Sequence, residues 1–379
     1  MPLSAEDLML LLRAINLAHA AIGLSDPNPR VGCVLLDAAG KLVGEGYTQQ
    51  VGGPHAEVMA LRAAAAGGHA LTGGTAYVSL EPCAHHGRTP PCAEALVAAG
   101  LRRVVVAVHD PFHQVAGQGL AILHAAGLQV DVAPQGPVRA AAQALNIGFF
   151  SRVIRGRPWV RMKVAASLDG RTALPDGRSQ WITGAAARAD GHRWRARAGA
   201  VLTGIGTVLG DDPRLDVRLA PTLLQPGRLV LDTHYRTPVS ARLLAGPGQA
   251  RVIGAQPHAE RMAALRQAGA LVQNLPSGSG RVDLPALLGQ LAEEGLNELH
   301  IEAGARLNAA LLTAGLVDEL LIYLAPKLLG PGRGMVDWPA LPALSAAAAW
   351  QIKSTELVGD DLCLRLQRPE ATSFLPRDI

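Results

Sequence analysis

Lysine is nearly missing from this chain of 379 residues: Lys41, Lys163, Lys327 and Lys353 are all there are, and every other cationic side chain is arginine. With alanine so abundant the skew reads as coding bias, so arginine richness is not in itself evidence of function. Cysteine is as scarce. Cys33, Cys83, Cys92 and Cys363 are too few and too scattered for a disulfide framework, which fits a reducing cytoplasm. No stretch is long enough and free enough of charge to make a transmembrane helix. Glu6 and Asp7, ahead of the first apolar run, exclude a signal peptide. No dense Lys/Arg run with interleaved aromatics occurs either. Despite a net charge of +4, a phosphorylated small molecule therefore accounts for the arginines better than nucleic acid does. Hydrophobic content of 49% against 17% charged excludes a disordered chain, and the length allows two domains, each with its own core. No internal repeat is evident.

The densest chemistry lies between His55 and Cys92. Pro54-His55-Ala56-Glu57 opens it, and Glu81-Pro82-Cys83-Ala84-His85-His86-Gly87-Arg88-Thr89-Pro90-Pro91-Cys92 closes it. One imidazole and two thiolates are three soft-to-borderline ligands, suited to a tetrahedral zinc whose fourth position stays open to water. Glu57 is then a carboxylate beside the metal and not on it. Residues 75–80 read as a buried strand delivering Cys83 just past its end. Thr89-Pro90-Pro91 reads as a helix start, which places Cys92 where a helix N-terminus favours the thiolate. Pro54 leads into a helix over 56–66 with His55 and Glu57 in its first turn. His85 and His86 are rival ligands, although a substrate contact suits their loop better.

Around this stretch the pattern alternates. Leu8, Leu11, Leu12, Ile15 and Ile22 recur at helical spacing behind Ser4 as a cap. Residues 31–36 and 42–47 read as a hairpin, followed by strands over 103–108 and 128–132 and helices over 120–126 and 137–150. Such alternation predicts a three-layer α/β sandwich. The polar stretch 151–158 predicts a boundary, giving domains 1–150 and 151–379. The second half alternates again, with strands over 159–166, 200–203, 228–232, 251–253, 271–274 and 299–302 and helices over 185–198, 259–268, 284–294 and 307–314. Strands over 318–325, 351–357 and 361–367 are expected as antiparallel edges, and 369–379 as a loose tail. Cys33 and Cys363 sit in apolar runs and read as small hydrophobes.

Three further features bear on function. Gly204-Ile205-Gly206-Thr207 follows a strand and suits a phosphate held on backbone amides. It fails as a dinucleotide fingerprint, because the third glycine is displaced to Gly210 and no acidic residue follows a second strand at the required distance. Lys163 lies mid-strand, where a lysine needs a partner or a cavity, and is a candidate for substrate binding or proton transfer. Asn28, in a proline-bracketed turn, suits a hydrogen bond to a pyrimidine or simply the turn itself.

His-x-Glu followed by Pro-Cys and a second Cys is the signature of zinc-dependent nucleobase deaminases. Here the two cysteines are further apart than that signature has them, and the insert Ala-His-His-Gly-Arg-Thr-Pro-Pro resembles the deaminase half of the bifunctional riboflavin-biosynthesis deaminase–reductases. Pro27-Asn28-Pro29-Arg30-Val31-Gly32-Cys33 is similar to the same half. Ser167-Leu168-Asp169-Gly170-Arg171-Thr172, Ser179-Gln180-Trp181-Ile182-Thr183, residues 207–213 and Glu302-Ala303-Gly304 resemble the reductase half. The resemblance covers residues 5–367. It implies an N-terminal cytidine-deaminase-like three-layer αβα domain and a C-terminal dihydrofolate-reductase-like α/β domain, with one Zn²⁺ per deaminase domain, NADPH, and a homo-oligomer. Carried over, Ala165, Trp181, Thr207, Asp211, Gly304, Ala305, Arg306, Leu307, Asn308, Ala309 and Ala310 would contact the cofactor. Ser179, Arg195, Leu215, Arg218 and Glu302 would contact the substrate. The implied chemistry is hydrolytic deamination of a phosphoribosylated diaminopyrimidinone, with Glu57 carrying the proton, then NADPH reduction of the ribosyl group. Two rivals stand beside it. One is a tRNA or nucleoside deaminase with an inert second half, against which the long insert and the arginines argue. The other is a zinc-stabilised scaffold, which requires a fourth protein ligand and unfolds on chelation.

Overall fold

The structure, a computed structural model, describes residues 2–84, 91–112, 115–220 and 224–376. The chain divides into two compact units, Met1–Gly156 with Phe374–Ile379, and Arg157–Ser373. No helix among the described residues is long and apolar enough to cross a membrane.

The first unit is built on a five-stranded sheet in the spatial order Leu42–Tyr47, Gly32–Leu36, Thr75–Val78, Arg103–Val106, Gln129–Val132. The first three strands pair antiparallel and the last two join parallel. Gly32–Leu36 is buried along its whole length, which is why it reads as an unbroken apolar run. Helix Ala5–Ala18 starts in a capping box between Ser4 and Asp7. Asp7 also accepts from Tyr77 Oη at 2.8 Å and Arg103 Nη1 at 2.7 Å, so the helix start is sewn to two strands.

Three expectations for this unit need correction. The single helix over 137–150 is two, Pro137–Leu145 and Ile147–Arg155. Asn146 interrupts them at φ −104° because its side chain is committed to Arg30: it accepts from the Arg30 N–H and donates to the Arg30 carbonyl, each at 2.8 Å. Residues 151–155, read as the start of a polar boundary stretch, are the end of the second helix, where Ser151 is fully buried and Gly156 closes the helix in the left-handed conformation. The end of the chain is not loose through residue 376. Phe374 and Leu375 pack on the first core, and the Arg155 guanidinium lies 4.3 Å over the Phe374 ring.

The second unit carries a nine-stranded sheet in the order Leu271–Asn274, Ala250–Gly254, Gly227–Leu231, Ala200–Gly204, Glu298–Ile301, Trp159–Ser167, Glu319–Ala325, Asp361–Gln367, Gln351–Val358. Glu319–Ala325, expected as an antiparallel edge, is interior. It pairs parallel with Trp159–Ser167 and antiparallel with Asp361–Gln367, so the sheet turns antiparallel only at its last two strands. Helix Ala185–Arg197 buries little beyond Ala187 and is held to the sheet by charge instead. Trp194 on that helix meets the guanidinium groups of Arg161 and Arg365, at 4.4 and 5.1 Å from its ring. Arg161, 1% exposed, donates to Glu298 at 2.9 Å and Glu319 at 3.0 Å, and Glu319 also accepts from Trp159 Nε1 and Arg365 Nε.

Burial alone would raise the Glu319 carboxyl, but Arg161 and Arg365 outweigh it and hold it at about 2 instead of the usual 4.5. A carboxyl depressed in the folded state stabilises above its unfolded pKa. That contribution, on the order of 3 kcal/mol, is lost as pH falls from about 4.5 to about 2. Calorimetry is expected to show the second unit's unfolding midpoint falling through this window. Glu319→Gln should be less stable at pH 7 and flatter across the window, and an unchanged slope would remove Glu319 from the account.

Candidate active sites

The first site begins with the way one helix is seated. His55 caps helix Ala56–Ala66 and Glu57 lies in its first turn. Gly44 and Gly46 on the adjoining strand let that helix lie directly on the sheet. A β-carbon at Gly46 would stand 2.4 Å from the Ala56 carbonyl oxygen and 2.5 Å from the Ala60 nitrogen, and one at Gly44 2.4 Å from the Ala60 oxygen. Ala56, Ala60 and Ala64, all fully buried, complete the seam from the helix side.

Cys83 follows strand Thr75–Val78. The turn leading to it is fixed by Glu81, whose buried carboxylate accepts from the N–H groups of Asp110 at 3.3 Å, Gly117 at 3.2 Å and Gly119 at 3.1 Å. Cys92 opens helix Cys92–Ala98 behind Pro91 and gives its N–H to Cys83 Sγ at 3.3 Å. His55 Nδ1 lies 3.6 Å from Cys83 Sγ and 3.4 Å from Cys92 Sγ, and the three donor atoms all fall within 4.8 Å of one another. Two sulfurs and one nitrogen converging in this way fit a zinc ion. The rival ligands His85 and His86, like Thr89 and Pro90, lie outside the described residues.

Electrostatics here follow from crowding. Burial raises the Glu57 carboxyl to about 7, and the charge of Cys83 adds to the rise. The two thiols are coupled: the hydrogen bond from Cys92 lowers Cys83, and the same bond drives Cys92 up. Sequence reasoning missed Glu81 and Asp110, the latter 6% exposed and lifted by burial to about 7. An acid ahead of Pro-Cys or in His-Asp-Pro carries no signal that it is buried. Asn28 sits in its turn with its N–H on the Ser25 carbonyl at 2.8 Å and its side chain half-buried.

In the second unit the parallel strands bring their C-terminal ends to one edge of the sheet, the usual place for ligands in such folds. Glu302, just past strand Glu298–Ile301, takes Arg195 in a fork of 2.5 and 2.9 Å, and Arg195 also donates to the Asp216 carbonyl at 2.9 Å. Burial would raise Glu302, yet Arg195, His300 and Lys163 hold it well below the ordinary carboxylate range. Burial lowers Lys163 itself, partly offset by Glu302. Arg218 pairs with Asp216, which Arg214 holds at 3.0 Å, while Leu215 between them is buried with a left-handed φ of 56°. His300 and Asp216 were missed, since a histidine inside an apolar strand and an acid between arginines read as core and surface.

Thr207, on helix Ile205–Asp211, approaches Gly304, where a β-carbon would lie 3.9 Å from its Oγ1. Gly304 caps helix Ala305–Thr313, whose first turn holds Ala305, Arg306 and Leu307, with Ala310 half-buried further on. Asn308 and Ala309 are buried, and Asn308 donates to the Met335 carbonyl at 3.0 Å. Arg306 and Asp211 are exposed, and Ser179 is half-buried. Ala165 lies opposite Tyr323 in the sheet. Trp181 is 64% exposed with Arg188 4.4 Å over its ring, and its carbonyl accepts from Lys327 at 3.2 Å. Lys163, Arg195 and Glu302 thus meet in one cluster, and Thr207 meets Gly304.

Residues 4–108 match the family described as the cytidine and deoxycytidylate deaminase zinc-binding region, and residues 158–364 match the RibD C-terminal domain. The riboflavin biosynthesis protein RibD of Escherichia coli is 44% identical, covering 95% of this chain and 99% of its own length. The chain belongs to the RibD family. RibD of Haemophilus influenzae is 39% identical, over 95% of this chain and 97% of that protein. Acinetobacter baumannii RibD superposes with a TM-score of 0.86 at 42% identity, covering 96% of this chain and 98% of that one. A structure from Thermotoga maritima, described as a diaminohydroxyphosphoribosylaminopyrimidine deaminase/5-amino-6-(5-phosphoribosylamino)uracil reductase, gives 0.82 at 28% identity with the same coverage. The first unit has the deaminase-like fold of this family and the second its reductase fold.

The seam under the helix of His55 makes a direct prediction. Gly46→Ala forces the helix off the sheet, which costs about 1–3 kcal/mol and lowers zinc retention. Thermal melting and zinc content after dialysis measure both, and a variant matching the parent in each would show that the seam yields.

Proposed function

We propose that the chain catalyses two consecutive steps of riboflavin synthesis, the first in the unit Met1–Gly156 and the second in the unit Arg157–Ser373. In the first, 2,5-diamino-6-(5-phosphoribosylamino)pyrimidin-4-one loses a ring amino group as ammonia. In the second, the ribosyl group of 5-amino-6-(5-phosphoribosylamino)uracil is reduced with NADPH to the ribityl chain. The observation that carries this reading is the convergence of His55, Cys83 and Cys92 with buried Glu57 alongside, in a chain that also builds the Lys163–Arg195–Glu302 cluster.

Zinc, when bound, supplies the Lewis acidity that brings the ionisation of water close to neutrality. Glu57, buried in the first turn of the helix that His55 caps, is suited to take a proton from water and hand it to the departing ammonia. Asn28, at the turn before strand Gly32–Leu36, is assigned to the pyrimidine edge. In the reductase half NADPH supplies the hydride. Gly304 at a helix N-terminus, with Thr207 beside it, suits the pyrophosphate. Ala165, Trp181, Asp211 and the rest of residues 304–310 are assigned to the cofactor. Glu302 is assigned to the ribose hydroxyls, and Lys163 to the substrate or to the proton that accompanies reduction. Arg195 holds Glu302 ionised, and Arg218, half-exposed, suits the 5-phosphate, with Ser179 and Leu215 beside the substrate. The substrate is a small phosphorylated pyrimidine and the setting the cytoplasm. A homo-oligomer is supported by the sheet edge Gln351–Val358, where Ile352 and Leu357 are 63% and 78% exposed.

Glu57→Gln is expected to keep its zinc and to release ammonia about 10²- to 10⁴-fold more slowly. NADPH oxidation by the same variant, supplied directly with the aminouracil, should be unchanged. Ammonia release at the parental rate would exclude Glu57 as the proton carrier.

A further inference from the structure

After residue 373 the chain returns to the first unit. Phe374, Leu375 and Pro376 are all half-buried there. Phe374 and Leu375 pack on the first unit's apolar core, and the Phe374 ring lies 4.3 Å from the Arg155 guanidinium. The Pro376 carbonyl accepts from Gln143 Nε2 at 3.3 Å. Arg155 is itself fixed, because its Nε and Nη2 donate to the Oγ of buried Ser151 at 3.2 and 2.5 Å. Three residues from far along the chain are thus seated on helices Pro137–Leu145 and Ile147–Arg155 and on the core those helices cover.

The same two helices hold the turn that carries Asn28. Asn146, where they meet, takes the Arg30 N–H and gives to the Arg30 carbonyl, each at 2.8 Å. Arg30, 3% exposed, donates from Nη1 to the Leu145 carbonyl and from Nη2 to Asp26, both at 3.2 Å. Arg152 Nη2 donates to the Pro27 carbonyl at 3.3 Å. Residues on both sides of Asn28 are therefore tied to 145–152. Within the turn, Asn28 gives its N–H to the Ser25 carbonyl at 2.8 Å, and its own carbonyl accepts from Ser25 Oγ at 3.3 Å. The turn is closed on itself, so it moves as a body. Its placement is set by the helix pair and by strand Gly32–Leu36, which follows it.

Tail and turn meet neighbouring positions of the same helices. Gln143 bonds Pro376 and Asn146 bonds Arg30; Arg155 covers Phe374 and Arg152 bonds Pro27. Each pair is three residues apart, the spacing of side chains that lie side by side on a helix surface. The contacts form one continuous path from the tail to Asn28, and coupling along such a path is a measurable quantity.

We propose that residues 374–376 are a positioning element for the first active site, and that through the two helices they set where Asn28 stands against the pyrimidine. This rests on the deaminase reading and on Asn28 as a contact to the ring. A segment that only stabilised the unit would change its melting and leave substrate affinity alone. One that places Asn28 changes KM more than kcat, because a hydrogen bond to the ring edge is made in ground state and transition state alike.

The test is ammonia release by the purified full chain against diaminopyrimidinone concentration. Phe374→Ala with Leu375→Ala should raise KM by about 5- to 20-fold, the worth of one hydrogen bond to the ring, and leave kcat within about twofold. Zinc content and NADPH oxidation on the aminouracil should match the parent. Phe374→Tyr, which keeps the ring beside Arg155, should stay within about twofold of the parental KM. Asn28→Ala should raise KM by itself, and in that background the tail changes should add less than about twofold more. An unchanged KM in the folded double variant, with or without a lower melting point, overturns the inference and leaves the deaminase reading intact. So does a rise that multiplies in full with that of Asn28→Ala. If melting curves show that the double variant fails to fold, Leu375→Ala alone decides in the same assay. A parent that releases no ammonia removes the deaminase reading with it.

Discussion

Two sulfurs and an imidazole nitrogen held within 4.8 Å of one another are poor neighbours unless a cation joins them. The hydrogen bond between the thiols lowers Cys83 and raises Cys92, and burial and the nearby thiolate raise Glu57. A doubly charged ion at their meeting point relieves all of these costs together. The surrounding fold serves that convergence. The glycine–alanine seam seats the His55 helix, the buried carboxylate of Glu81 fixes the turn before Cys83, and Pro91 starts the helix that presents Cys92.

The second unit uses charge differently. Its sheet buries Arg161, Glu298 and Glu319 as a paired network, and each charge is tolerated because an opposite one lies within hydrogen-bond distance. The same logic continues to the strand ends, where Arg195 holds Glu302 ionised beside Lys163. Structural ion pairing and ligand chemistry are thus continuous across one sheet.

Much of this was legible in the residues themselves. Strands such as Gly32–Leu36 announce themselves as unbroken apolar runs, and His55, Glu57, Cys83 and Cys92 lie close enough in sequence for order and spacing to suggest a metal. What sequence could not show depends on partners far along the chain. Asn146 breaks a helix to bond Arg30, 116 positions away, and Arg195 meets Glu302 across 107. The interior, parallel placement of Glu319–Ala325 is likewise decided by Trp159–Ser167 and not by its own alternating pattern.

The central claim is that three protein ligands, and no more, surround the ion. X-ray absorption at the zinc edge of the purified protein tests it most directly. The account predicts two sulfurs at about 2.3 Å, one histidine nitrogen and one further light atom at about 2.0 Å. A third sulfur or a second imidazole in the shell would make the site a closed structural one and contradict it.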